Sequence, residues 1–403
     1  MTASPMALDN AATHKLSPEL ALSGPQTELL HRVVSFCERH KADDSALFVI
    51  EGAAGTGKSV VLNAIFNTLQ TRARSGAVDD PLRGLRNMVI VNHPEMLKLY
   101  RNIAATVPNL RKSDYERPTT FINKSAKIGK RADIVLVDEA HLLLTRPDRY
   151  NHFAQQNHLE EILRWARIVV VVFDPLQVLK FKSHWSTDLL ERFRKGRPSE
   201  EFHLDTQFRV SASPAMCSWI DALGQGEILP RPKDPSFDLR VYNDCATLYA
   251  DLCACNATYG LCRLLSTYDY PYTLNGEDHF ITEGDFRLRW DRSLPTEKLP
   301  WAERPDTIDE VGSVYTIQGF DLNYAGVILG PSLFYDAEHD RIGVRPERYE
   351  DSAAFQGRDG IAAPEEAKAR VILNALNVIL TRGIHGLFLY AHDPALREKL
   401  LRT

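Results

Sequence analysis

The first half of the chain carries apolar runs at residues 46–50 (ALFVI), 87–92 (NMVIVN), 132–138 (ADIVLVD) and 166–174 (ARIVVVVFD). Between them, SVVLNAIFNTLQTRA, HPEMLKLYRNIA and NHFAQQNHLEEILRWA repeat their apolar residues at helical spacing. Unbroken Val/Ile/Leu runs alternating with helices predict a parallel sheet covered on both faces. The alternation resumes later: LRVYND, YGLCRLLSTY, VGSVYTIQ, YAGVILG and HGLFLYAHD read as strands, CATLYADLCAC and EEAKARVILNALNVIL as helices. The charged, punctuated stretch 191–201 (ERFRKGRPSEE) is expected as a hinge between a first domain, 21–195, and a second, 196–403. Residues 270–308, rich in aromatics and prolines, are expected as an irregular insertion in the second domain. Residues 1–20 have neither a basic start nor a long apolar segment, and are expected as a disordered tail.

A chain of 403 residues exceeds the size of one hydrophobic core, which agrees with two domains. No apolar run reaches the eighteen or so residues that a membrane span needs, so no membrane partner and a cytoplasmic location are expected. With a net charge of −5, nucleic-acid contact would run through a local groove rather than global attraction. The six cysteines lack paired CxxC spacing and an accompanying histidine pair, and read as ordinary thiols.

The segment EGAAGTGKSV fits GxxxxGK[ST] through Gly52, Gly57, Lys58 and Ser59, with Gly55 and Thr56 between them. Glycines let the backbone wrap a phosphate chain with its N–H groups turned inward, and the following helix start favours the anion. Lys58 would neutralise the β- and γ-phosphates of ATP, and Ser59 would ligate Mg²⁺. A glycine-rich turn would explain the glycines alone. It would not explain IVLVDEAH, where an apolar strand ends in Asp138, placed to hold magnesium, and Glu139, placed to orient or deprotonate water. A further strand ends in FDPLQ with Asp174 and Gln177, and a glutamine at that position can touch both the γ-phosphate and the neighbouring domain.

In order, VNHPEM, DEAH, FDPLQ, QFR, YTIQGFD and LTRGIHGLFLYAHD resemble the motifs of superfamily 1 helicases, and more narrowly the Schlafen-like DNA/RNA helicase domain of uncharacterised bacterial proteins. The resemblance covers residues 22–395. It implies an α/β architecture of two RecA-like P-loop domains, each a mainly parallel sheet with helices on both faces, with ATP in the cleft between them. It also implies a helicase-like ATPase or translocase acting on single-stranded DNA or RNA. Arg209 and Arg382 become arginine fingers, and Gln318, Gly319 and Asp321 nucleotide contacts. Asp321 stands where the family's motif usually has a glutamate. Gln26, in LSGPQTELL, takes the place of an adenine-reading amide. The loops expected to meet the strand carry Asn92 and His93, then Thr119, Thr120, Phe121 and Asn123, then Tyr268 and Tyr270. Hydroxyls and amides suit phosphates, and aromatic rings suit bases. His141 is expected to couple the ATP site to these loops. The family's longer members carry a fused nuclease or other module, so a separate nuclease or effector protein is an expected partner. A different class of function fits the same motifs: a nucleotide-gated switch that regulates a protein partner without moving along a strand.

Overall fold

Val, Ile and Leu dominate the buried runs of the first half, and branching at Cβ favours the extended backbone they adopt. In the computed structural model, which describes residues 12–403 apart from 53–54, 76, 150, 175–176, 184, 186, 205–210, 274–276, 293–296 and 358–362, these runs form one sheet. Its strands are β1 (Ala46–Gly52), β2 (Asn87–Val91), β3 (Tyr115–Glu116), β4 (Ala132–Asp138), β5 (Ala166–Phe173) and β6 (Ser199–Leu204). The spatial order is β3-β2-β4-β5-β1-β6, and every pair is parallel. Because β4, β5 and β1 are neighbours, their C-terminal ends open on one edge, which is where parallel α/β sheets bind ligands. The helix Lys58–Ser75 follows β1 and buries Val61, Leu62, Ile65, Phe66 and Leu69.

The second sheet holds β7 (Asp238–Val241), β8 (Cys262–Ser266), β9 (His279–Glu283), β10 (Phe286–Trp290), β11 (Glu310–Gly312) and β12 (Leu322–Leu329). A separate hairpin pairs β13 (Leu333–Asp336) with β14 (Arg341–Val344), and β15 (Gly383–Ala391) returns to the sheet. The order is β7-β15-β12-β8-β11-β10-β9, parallel throughout except for β9 with β10. Helix Cys245–Tyr259 packs on β8 and β12, and helix Pro364–Leu380 packs on β12. Each unit is thus mixed α/β with a mainly parallel sheet and helices on both faces.

Several boundaries differ from the sequence expectation. Lys15–Gln207 forms one compact unit and Phe208–Thr403, together with the residues before Lys15, the other, so the stretch 191–201 lies inside the first unit. The cause is β6, which pairs with β1 from Ser199 to Leu204. Its Glu200 and Glu201 read as surface because β6 is an edge strand, and Arg32, Arg39 and Arg194 meet those charges. The 270–308 stretch is not wholly irregular: β9 and β10 form a hairpin that extends the sheet, turning at Gly284 with φ of 59°. VGSVYTIQ is a strand only at Val311 and Gly312, the end of β11. Ser313 then accepts from the Tyr315 N–H at 3.1 Å and starts the short helix Val314–Ile317. NHFAQQNHLEEILRWA becomes helical only at His158, where Asn157 caps the Leu159 and Glu160 N–H groups. The tail reading fails at its inner end: Ala12–Lys15 is helical, Leu16 is buried, and the Leu16 carbonyl accepts from Asn63 Nδ2. Among the described residues, no helix is long and apolar enough to cross a membrane.

Candidate nucleotide-binding site

Gly52 closes β1, and a Cβ there would stand 2.7 Å from Thr56 Oγ1 and 2.9 Å from the Leu204 carbonyl oxygen, so only glycine fits. Gly55 and Gly57 have φ of 84° and 76°, in the region that side chains resist. The turn delivers Lys58 to the first position of its helix. Its ammonium donates to the Gly52 carbonyl at 2.6 Å and to Asp174 Oδ2 at 3.2 Å. Asp174 Oδ2 also accepts from Gln177 Nε2 at 2.6 Å, which places the FDPLQ residues beside the P-loop lysine.

On the neighbouring strand end, Asp138 is fully enclosed. Its Oδ1 accepts from Ser59 Oγ at 3.4 Å and from the Glu139 N–H at 3.0 Å, and its Oδ2 from Tyr100 OH at 2.6 Å. Burial first, and the adjacent Glu139 second, push this carboxyl up to about 6, against the lowering effect of the Tyr100 and Ser59 hydrogen bonds. An anion so placed favours a cation alongside. Glu139 takes a left-handed backbone, φ 51° and ψ 48°, unusual for a residue with a side chain. Its Oε2 lies 2.8 Å from His141 Nε2.

The structure brings Gly52, Gly55, Thr56, Gly57, Lys58, Ser59, Asp138, Glu139, Asp174 and Gln177 to one edge of the first sheet. Gln26 is buried, and its Oε1 accepts from the Ser23 N–H at 3.0 Å within a capping box that starts helix Gly24–His40. Asn92 Nδ2 donates to the Leu142 carbonyl at 2.6 Å, and His93 Nδ1 caps helix Pro94–Ala104 through the Met96 N–H. Thr120 and Asn123 are exposed, and Thr119 is half-buried. Phe121, expected as a stacking ring, is instead in the core, because helix Pro118–Ile128 turns it inward with Ile122.

In the second unit Gln318 is buried and Gly319 has φ of 86°. Asp321 is half-buried. Arg382 is buried, with Nε donating to the Val378 carbonyl at 2.7 Å and one terminal nitrogen to the Phe320 carbonyl at 3.3 Å. It thereby ties the end of helix Pro364–Leu380 to the Gln318–Asp321 turn. Arg209 and Gln207 lie outside the described residues. Tyr268 is half-buried, its ring 5.4 Å from Trp290 and 5.7 Å from Tyr315. Tyr270, the other expected stacking ring, is buried with its hydroxyl donating to Glu283 Oε1 at 2.7 Å.

Sequence reasoning missed Tyr100 and His158. Tyr100 sits at a core-type position of HPEMLKLYRNIA, and nothing local marks it as the partner of Asp138.

A parallel α/β sheet whose first strand feeds a glycine turn and a Lys-Ser helix start, beside an acidic strand end, defines a P-loop nucleotide-binding protein. The chain belongs to the Schlafen group 3 DNA/RNA helicase domain family, whose model matches residues 45–393. An uncharacterized protein of Saccharomyces cerevisiae, YPL245W, is 45% identical to it over 97% of this chain and 92% of its own length. The bacterial setting expected from the resemblance is therefore not supported. Among solved structures, Pif1 helicase from Candida albicans aligns at a TM-score of 0.39 and 13% identity, covering 94% of this chain and 97% of its own. AMPPCP-bound DnaA from Aquifex aeolicus aligns at 0.27 and 18% identity, covering 48% and 52%.

Proposed function

We propose that the chain is an ATPase motor that acts on single-stranded DNA or RNA. The observation that carries this reading is the set of Lys58, Ser59, Asp138, Glu139, Asp174 and Gln177 at one sheet edge, with Lys58 already held against Asp174 at 3.2 Å. Incoming phosphates would draw the Lys58 ammonium onto their own oxygens, while the P-loop N–H groups cradle them. Ser59 and Asp138 offer only oxygen donors, and the raised Asp138 carboxyl favours a cation, so both fit Mg²⁺. When bound there, Mg²⁺ would neutralise charge on the phosphate oxygens. Glu139 takes the proton of the attacking water as its oxygen bonds to the γ-phosphorus and the bond to ADP breaks. Gln177 would orient that water. Gln26, Gln318, Gly319 and Asp321 are proposed nucleotide contacts, and Arg209 and Arg382 are proposed to stabilise charge on the transferred phosphoryl group.

Asn92, His93, Thr119, Thr120, Asn123 and Tyr268 are the proposed strand contacts, and a separate nuclease or effector protein the proposed partner. Turnover is expected to rise when single-stranded oligonucleotide is added, measured as phosphate release against strand concentration at several ionic strengths. With about four phosphates contacted, counterion release predicts an apparent affinity roughly 50-fold weaker at 200 mM than at 50 mM salt. Turnover that ignores both DNA and RNA strands at every salt concentration would sink the motor and favour the nucleotide-gated switch.

A further inference from the structure

The loop that follows Glu139 is held by side chains from outside it. Asn92 Nδ2 donates to the Leu142 carbonyl at 2.6 Å, and Trp185 Nε1 to the Leu143 carbonyl at 3.1 Å. At Leu144 the grip is double: the His158 N–H donates to the Leu144 carbonyl at 2.8 Å, and the Leu144 N–H donates to His158 Nδ1 at 3.0 Å. Accepting at Nδ1 fixes the tautomer, so Nε2 carries the proton. That proton faces Thr119 Oγ1 at 3.2 Å. The ring is buried and set against Phe153, centroids 4.0 Å apart, so it cannot reach a strand itself. Burial, and then Arg117, bring His158 down to about 3, against the opposing Asp148, so it stays neutral across the working range.

Thr119 occupies the first turn of helix Pro118–Ile128, between exposed Arg117 and exposed Thr120. Its oxygen accepts the hydrogen bond from His158 Nε2–H, which leaves its own hydroxyl hydrogen to be aimed elsewhere. A phosphate oxygen of a polynucleotide is a fitting acceptor. We propose that His158 is a positioning residue that links the acidic loop after β4 to Thr119, so that nucleotide occupancy at Glu139 sets how Thr119 meets the strand. The proposal rests on the motor reading. It needs no contact beyond the first unit.

The test uses the full chain and two probes, a twenty-residue oligo-dT and the matching oligo-U. Asparagine in His158→Asn still offers an acceptor to the Leu144 N–H but falls short of Thr119. The ratio of strand-stimulated to unstimulated turnover is expected to fall about tenfold in His158→Asn and in Thr119→Val, and to persist in Thr119→Ser. The double variant His158→Asn/Thr119→Val should be no worse than the worse single one, since both break the same link. Fully additive losses, or a parental ratio in His158→Asn, would overturn the link. A parent chain indifferent to both oligonucleotides would instead overturn the motor reading. The link is then judged by nitrogen NMR of histidine-labelled protein. The expected result is a neutral His158 with its proton on Nε2, whose resonance moves on saturation with Mg²⁺ and a non-hydrolysable ATP analogue. A His158 resonance unmoved by nucleotide would overturn the link without reference to any strand.

Discussion

Glutamine at position 139 is expected to leave ATP bound and to stop its hydrolysis. The side chain sits at the first position after β4, buried, with Oε2 2.8 Å from His141 Nε2. An amide keeps the size and a hydrogen bond to His141 but cannot accept the proton of the attacking water. General-base catalysis contributes about 10² to 10⁴ in rate, so Glu139→Gln should lower single-turnover hydrolysis by that factor. Affinity for a labelled ATP analogue should stay within about threefold, because the lost function belongs to the chemical step. A hydrolysis rate near the parental one would remove Glu139 from the water-activating role. A collapse of affinity would place it in binding instead.

Lys58→Met should weaken binding and hydrolysis together, and at a cost to the fold. Charge-assisted hydrogen bonds contribute about 1.5–3 kcal/mol, so losing the ammonium should weaken ATP-analogue binding by roughly ten- to a hundredfold. Lys58 and Asp174 are 7% and 1% exposed, and removing one member of a buried ion pair typically costs about 3–5 kcal/mol. Lys58→Met is therefore expected to melt well below the parent chain. Adding Asp174→Asn removes the orphaned charge, and should restore most of the melting temperature while leaving nucleotide affinity low. Recovery of both together would mean that Lys58 serves the fold and not the phosphates. Recovery of neither would mean that the stability lost with Lys58 does not come from the unpaired Asp174 charge.

The parts of this molecule that were legible in the sequence are those where physics allows few residue types. Short apolar runs rich in β-branched residues fit strands buried on both faces, and β1, β2, β4 and β5 fall where ALFVI, NMVIV, ADIVLVD and ARIVVVVF stand. A phosphate-wrapping turn demands glycines at positive φ followed by a lysine, and Gly55, Gly57 and Lys58 supply them. β6 was hidden because an edge strand keeps one side wet, so SEEFHL carries charges like a linker. β9, at the edge of the second sheet, was hidden for the same reason. Ser313 turned an apparent strand into a helix start through a capping box with Thr316, which no periodicity registers. Tyr100 and His158 were illegible because their importance lies in what they touch. Tyr100 meets Asp138 across 38 positions of sequence, and His158 meets Thr119 across 39.

β6 also bears on where the first unit can be cut. β1 lies between β5 and β6, and its residues from Ala46 to Ile50 are all buried. A fragment ending at 195 would strip away the charged border and turn β1 into the rim of the sheet. Its unpaired N–H and C=O groups would then sit on a flat apolar ribbon, a template for joining one molecule to the next. Glu200 and Glu201, with the arginines that meet them, thus act as a guard against self-association, and the shortest fragment fit to stay dispersed must run past Leu204.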